Sequence, residues 1–148
     1  MHRGIVPVII GPTASGKTGT AIRTALLIER ELGLSVEIIS ADSRAVYKYM
    51  DIGTAKPSLA EMRGVAHWGL DLVEPGERWT VADWKEYAER KILEIRERGN
   101  VPMVVGGTGL YVDALVFGYR FRRDDTEGDL GGSEQKNCFL IGSVDICL

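Results

Sequence analysis

A chain of 148 residues, 45% hydrophobic and 26% charged, is the size of one domain and can bury a core of its own. At this length no disulfide frame or structural metal is needed to explain stability. Eighteen basic against 21 acidic residues leave a net charge of −3, which excludes a protein that grips nucleic acid mainly through bulk positive charge, though not one with a local basic patch.

In chain order, Ile5 to Ile10 is a short β-branched run ending at Gly11, as expected of a buried strand running into a turn. From Lys17 to Leu32 the apolar residues Ala21, Ala25, Ile28 and Leu32 recur at spacings of three and four, which predicts a helix stopped by Gly33. Val36 to Ala41 is a second strand candidate that delivers Asp42 and Ser43 to its C-terminal end. Strand, helix and strand make a βαβ unit, hence a parallel sheet, in which ligands sit beyond the carboxyl ends of the strands. Gly11 and Asp42 are therefore expected at one edge.

Val65 to Val73 reads as a further extended segment. His67 and Trp68 within it are expected to pack and hydrogen-bond near the strand rather than to catalyse. After a turn at Pro75 and Gly76, Thr80 with Asp83 three residues on marks a helix start. Val81, Trp84, Ala88, Ile92 and Ile95 form its apolar stripe down to Arg98, and Gly99-Asn100 ends it. Val101 to Val105 is another strand, turned by Gly106-Gly107-Thr108-Gly109 into a short helix from Leu110 to Phe117.

Residues 1–118 thus read as one catalytic domain. Residues 119–148 read as a linker with an incomplete terminal segment, in which Arg120, Arg122 and Arg123 precede an acidic run and CFLIGSVDICL resembles a strand cut off. Cys138 and Cys147 lack zinc-ligand or redox spacing and read as thiols of a reducing compartment. No stretch approaches the roughly 18 apolar residues of a membrane span, so a soluble, cytoplasmic protein with no membrane partner is expected.

Residues Gly11, Pro12, Thr13, Ala14, Ser15, Gly16, Lys17 and Thr18 spell GPTASGKT, a full G-x-x-x-x-G-K-[ST] pattern between a predicted strand and a predicted helix. Glycines let backbone N–H groups surround phosphate oxygens, the helix N-terminus adds positive potential, Lys17 supplies charge and the Thr18 hydroxyl can bind Mg²⁺. The pattern predicts phosphate or nucleotide binding of the ATP-binding type without saying which phosphate. An NTPase would also need an acid closing a strand and a residue to orient water. The strand from Val101 ends in Gly-Gly-Thr instead, and only Asp42 stands at a strand end, as a substrate-side residue, a cap or a metal-holding acid.

GPTASGKT, IISADSRAVYKYMDIGTAKP (Ile38 to Pro57), VAHWGLDLVEPGERWTVADW (Val65 to Trp84) and VPMVVGGTGLYVDAL (Val101 to Leu115), in that order and spacing, resemble the tRNA dimethylallyltransferase family. The likeness covers Val6 to Gly118. It implies an α/β fold, a P-loop NTPase-like parallel sheet flanked by helices. It also implies transfer of a dimethylallyl group from dimethylallyl diphosphate to the exocyclic amine of an adenosine beside the tRNA anticodon, with Mg²⁺.

By resemblance Asp42 is the base that takes the amine proton, and Thr108 contacts the bridging region of the diphosphate and the amine. Thr108 can equally cap the following helix. Lys17 joins them as a catalytic residue by stabilising the leaving diphosphate. Asp42, Ser43, Arg44, Ala45 and Thr108 fall where family members touch tRNA, although Arg44-Ala45 departs from the residues usual there. The family extrudes the target base into a channel, for which Tyr47, Lys48, Lys56 and Tyr111 are candidates.

Family members are longer and carry a tRNA-gripping insertion and a catalytic arginine in a C-terminal half, so this chain is expected to be a truncated form with weak diphosphate binding and little transfer. Alternative readings are an adenylate-type isopentenyltransferase acting on a free nucleotide, a small P-loop kinase, and a catalytically inactive diphosphate- or nucleotide-binding module.

Overall fold

The computed structural model describes residues 5–52 and 56–121. Four strands and four helices follow in the order β1 (Val8–Ile10), α1 (Lys17–Leu32), β2 (Val36–Ser40), α2 (Leu59–Met62), β3 (Ala66–Trp68), α3 (Val81–Glu97), β4 (Val101–Gly106) and α4 (Gly109–Val116). All strand pairings are parallel, and the sheet order is β1-β4-β2-β3. The first two strands are not neighbours, because β4 lies between them.

Alternation along the strands sends side chains to two faces. On one, Val8, Ile39, Ala41 and Val104 pack against Trp84, Ala88, Ile92 and Ile95 of α3 and Tyr111 and Val112 of α4. On the other, Val36, Ile38, Met103 and Val105 pack against Ala21, Ile22 and Ala25 of α1. The expected α/β architecture, a parallel sheet flanked by helices, is the one observed.

Three elements differ from the expectation. The first strand is shorter than Ile5 to Ile10, and Ile5 is exposed. The segment from Val65 to Val73 holds only the three-residue β3, since Gly69 turns away at φ +83; its end returns as a single bridge between Tyr47 and Val73. The short helix α2 was not anticipated. It is held by a capping box in which the Ser58 hydroxyl accepts from the Glu61 N–H and the Glu61 carboxylate accepts from Ser58. The same device starts α3, at Thr80 and Asp83. The proposed terminal strand and the acidic linker from residue 122 onward lie outside the described residues, as do the two cysteines.

One charged side chain is buried in the sheet. Glu37 on β2 accepts hydrogen bonds from Arg98, Asn100 and Trp68 Nε1. Burial alone would raise its carboxyl, but these donors outweigh it and hold the group below the usual glutamate range. The result ties the end of α3 to β2 and β3.

Of the described glycines, Gly106 has the least room for a side chain. A Cβ there would lie 2.1 Å from the Ala41 carbonyl oxygen and 2.3 Å from its carbon, so β4 and the exit from β2 can converge only with glycine. Gly106→Ala is expected to destabilise the protein by about 3 kcal/mol or more, since the obstacle is backbone and cannot rotate away. Gly109→Ala, which meets nothing within 4 Å, should stay within about 1 kcal/mol of the parent. Denaturant melts of the two variants provide the comparison.

Candidate functional site

The carboxyl ends of β1, β4 and β2 share one edge, and the glycine turns converge there. The Gly11 N–H donates to Gly106 O at 3.3 Å, and the Thr108 N–H donates to Ala41 O at 3.1 Å. The expectation that Gly11 and Asp42 meet at one edge is met, through β4 as the intervening strand.

The loop Gly11 to Gly16 is largely exposed and enters α1 through Gly16 in the left-handed region at φ 82. No side chain caps this helix, and its first turn carries no acidic residue. Its leading N–H groups and positive end are therefore open to an anion. The Lys17 side chain is buried at 7% exposure and its Nζ donates to Pro12 O at 3.0 Å within the loop. A Cβ on Gly107 would come 3.5 Å from that Nζ, so the lysine lies between the two glycine turns.

Asp42 follows β2 and organises its own turn. Its Oδ1 accepts from the Arg44 N–H at 2.8 Å and the Ala45 N–H at 3.2 Å, leaving Oδ2 outside those bonds. Arg44 is exposed and Ser43 half-buried, whereas the Ala45 side chain is in the core at 1% exposure. Any contact of Ala45 with a ligand would have to run through its backbone.

Thr108 sits at the N-cap position of α4, yet its hydroxyl makes no capping bond. The hydroxyl instead accepts from the Ser43 N–H at 3.0 Å and faces the Ser43 hydroxyl at 3.4 Å. The side chain thereby ties the second glycine turn to the Asp42 turn across 65 residues of sequence.

Lys17, Thr18, Ser40, Asp42, His67 and Gly106 line one small cavity of about 20 Å³. A cleft of about 480 Å³ that shares Lys17, Thr18 and Pro57 with this cavity runs past Thr13, Gly16, Arg23, Lys56 and Arg63. His67 Nδ1 donates to Val65 O at 2.8 Å, as expected of a packing histidine, but its Nε2 is buried with no partner among the described residues. Burial lowers the imidazole pKa, and the bond to Val65 only partly opposes that.

The side chains considered for base handling have partners within the protein; the Tyr47 hydroxyl donates to Glu77 O at 3.3 Å. Tyr111 is buried, stacked on Trp84 at 4.8 Å, and its phenol is pushed up to about 12 by burial, with Tyr47 and Asp42 adding to the effect. Lys48 pairs with Glu74 at 2.6 Å. Lys56 reaches Asp71 and the Tyr47 carbonyl, both at 2.6 Å, and Asp51 at 3.1 Å. It is a brace for the loop after Tyr47, a role that no local pattern signalled.

Comparison with known proteins agrees with this geometry. The IPP transferase family matches residues 45–137. A tRNA dimethylallyltransferase of Bacillus cereus is 45% identical over 136 residues, covering 92% of this chain and 40% of that protein. The full-length tRNA isopentenylpyrophosphate transferase of Bacillus halodurans superposes with a TM-score of 0.69 at 42% identity, over 88% of this chain and 39% of the other. A eukaryotic dimethylallyltransferase acting on tRNA gives 0.71 at 32% identity, over 85% and 30%. The chain thus spans about 40% of the length of the curated relatives it matches. Among the described residues, no helix is long and apolar enough to cross a membrane. With the family's sequence pattern, its fold and a phosphate loop facing Asp42 and Thr108, the chain belongs to the IPP transferase family.

Proposed function

We propose that this chain is the donor-binding and proton-accepting part of a tRNA dimethylallyltransferase. The observation that carries the reading is that Asp42 lines the same cavity as Lys17 and Thr18, so an amine brought to Asp42 would face a diphosphate held by the loop. Backbone N–H groups of Gly11 to Thr18 and the end of α1 bind the diphosphate. Lys17 exchanges the Pro12 carbonyl for a phosphate oxygen.

As the prenyl carbon–oxygen bond breaks, negative charge grows on the diphosphate, and donors fixed beforehand stabilise it most. The adenine exocyclic amine attacks the carbon and loses its proton to Asp42 Oδ2, the oxygen not used by the turn. Thr108 keeps that carboxylate in register through Ser43. Exposed Arg44 and the Ser43 hydroxyl would meet the tRNA. Residues 1–118 form the catalytic unit, acting on tRNA and dimethylallyl diphosphate in the cytoplasm.

Thr18 presents a hydroxyl, a hard oxygen donor suited to Mg²⁺. No group of three His, Cys, Asp or Glu among the described residues could hold a metal by itself, so diphosphate oxygens and water would complete the shell. When bound, Mg²⁺ supplies positive charge to the departing diphosphate.

Thr108→Ala is expected to lower turnover about tenfold or more, and Thr108→Ser much less, because serine retains both contacts to Ser43. Equal losses would assign Thr108 to packing. The reaction itself is tested by its by-product. With an unmodified anticodon stem-loop and dimethylallyl diphosphate, inorganic diphosphate should be released in step with labelled RNA, and ATP should yield no inorganic phosphate. Phosphate release from ATP without prenyl transfer would instead favour a kinase-like enzyme.

A further inference from the structure

His67 stands apart from the other polar groups at the site. A backbone carbonyl can only accept, so the contact to Val65 O fixes the proton on Nδ1 and leaves Nε2 of the neutral ring as an acceptor. That acceptor is buried and has no donor among the described residues. A buried unsatisfied acceptor costs stability, a cost that a water or ligand donor would remove.

The cavity that His67 lines supplies the space. Its volume of about 20 Å³ is room enough for a water. A water there also needs several polar partners, and Ser40, Asp42, Lys17 and Thr18 line the same walls. Mg²⁺ usually keeps several of its waters, whose hydrogens need acceptors.

We propose that His67 Nε2 accepts a hydrogen bond from a water of the cation shell at Thr18, making His67 a positioning residue for the cation–diphosphate pair. The inference rests on the phosphate-loop reading above. His67 touches neither the prenyl carbon nor the adenine; it orients the cation through that water.

The unmutated chain allows a direct test by ¹⁵N NMR of its imidazoles, with the His67 signals identified by their loss in His67→Asn. Addition of Mg²⁺ and inorganic diphosphate together should shift the Nε2 resonance toward hydrogen-bonded values, whereas either alone should not. A companion titration measures Mn²⁺ affinity in the presence of inorganic diphosphate. His67→Asn keeps a donor for Val65 but loses the distal acceptor, and should bind Mn²⁺ about tenfold more weakly. His67→Gln can return an acceptor near the Nε2 position and should recover most of that loss.

An unmoved Nε2 resonance in a chain that does bind Mn²⁺ and diphosphate would overturn this inference alone, as would a shift produced by diphosphate without metal. Failure of the unmutated chain to bind Mn²⁺ with diphosphate would overturn the inference together with the phosphate-loop reading.

Discussion

Lys17→Ala should weaken binding of dimethylallyl diphosphate about 10²-fold while leaving the fold nearly as stable as before. A charge-assisted hydrogen bond contributes about 1.5–3 kcal/mol, and each 1.4 kcal/mol is about tenfold in affinity. The stability effect is smaller because the ammonium's hydrogen bond among the described residues goes to the Pro12 carbonyl within its own loop, and alanine suits the first turn of a helix. Calorimetric titration with donor and Mg²⁺, beside a thermal melt, separates the two effects. Unchanged affinity in a folded variant would remove the phosphate loop from the account.

Asp42→Asn is the second large effect. Asparagine can still accept from the Arg44 and Ala45 N–H groups through its carbonyl oxygen, so the turn survives. What it loses is the basic Oδ2. Wherever transfer by this protein is measurable, turnover should fall on the order of 10²-fold or more with donor affinity nearly intact. Loss of donor and cation binding without a specific fall in turnover would make Asp42 a metal-holding acid instead.

Much of the site could be read in advance because its parts are local in sequence. GPTASGKT carries its own chemistry between a strand and a helix, and the periods of α1 and α3 come through because each has one buried stripe. Sheet order was not readable. The insertion of β4 between β1 and β2 is a long-range choice fixed by the fit of Gly106 against Ala41, and no periodicity reports it.

Thr108 shows the same limit on a smaller scale. Its position before α4 suggested a cap, and the hydroxyl turned out to serve Ser43. Helix α2 did have a signal, the S-x-x-E of Ser58 and Glu61, but four residues are too few to show a period. The brace at Lys56 and the bare Nε2 of His67 depend on what surrounds each side chain after folding. Sequence alone assigned the first to base handling and the second to packing.

The central claim is that the phosphate loop and Asp42 serve one reaction, with prenyl carbon and adenine amine brought together between them. Its most direct test is a single-turnover experiment with protein in excess over radiolabelled dimethylallyl diphosphate, offering an unmodified tRNA anticodon stem-loop and AMP in parallel, followed by nucleoside mapping of the product. A low yield of label is expected, carried on the exocyclic amine of the adenosine beside the anticodon, absent from AMP and lost in Asp42→Asn. Label on AMP alone, or undiminished transfer by Asp42→Asn, would contradict the central claim.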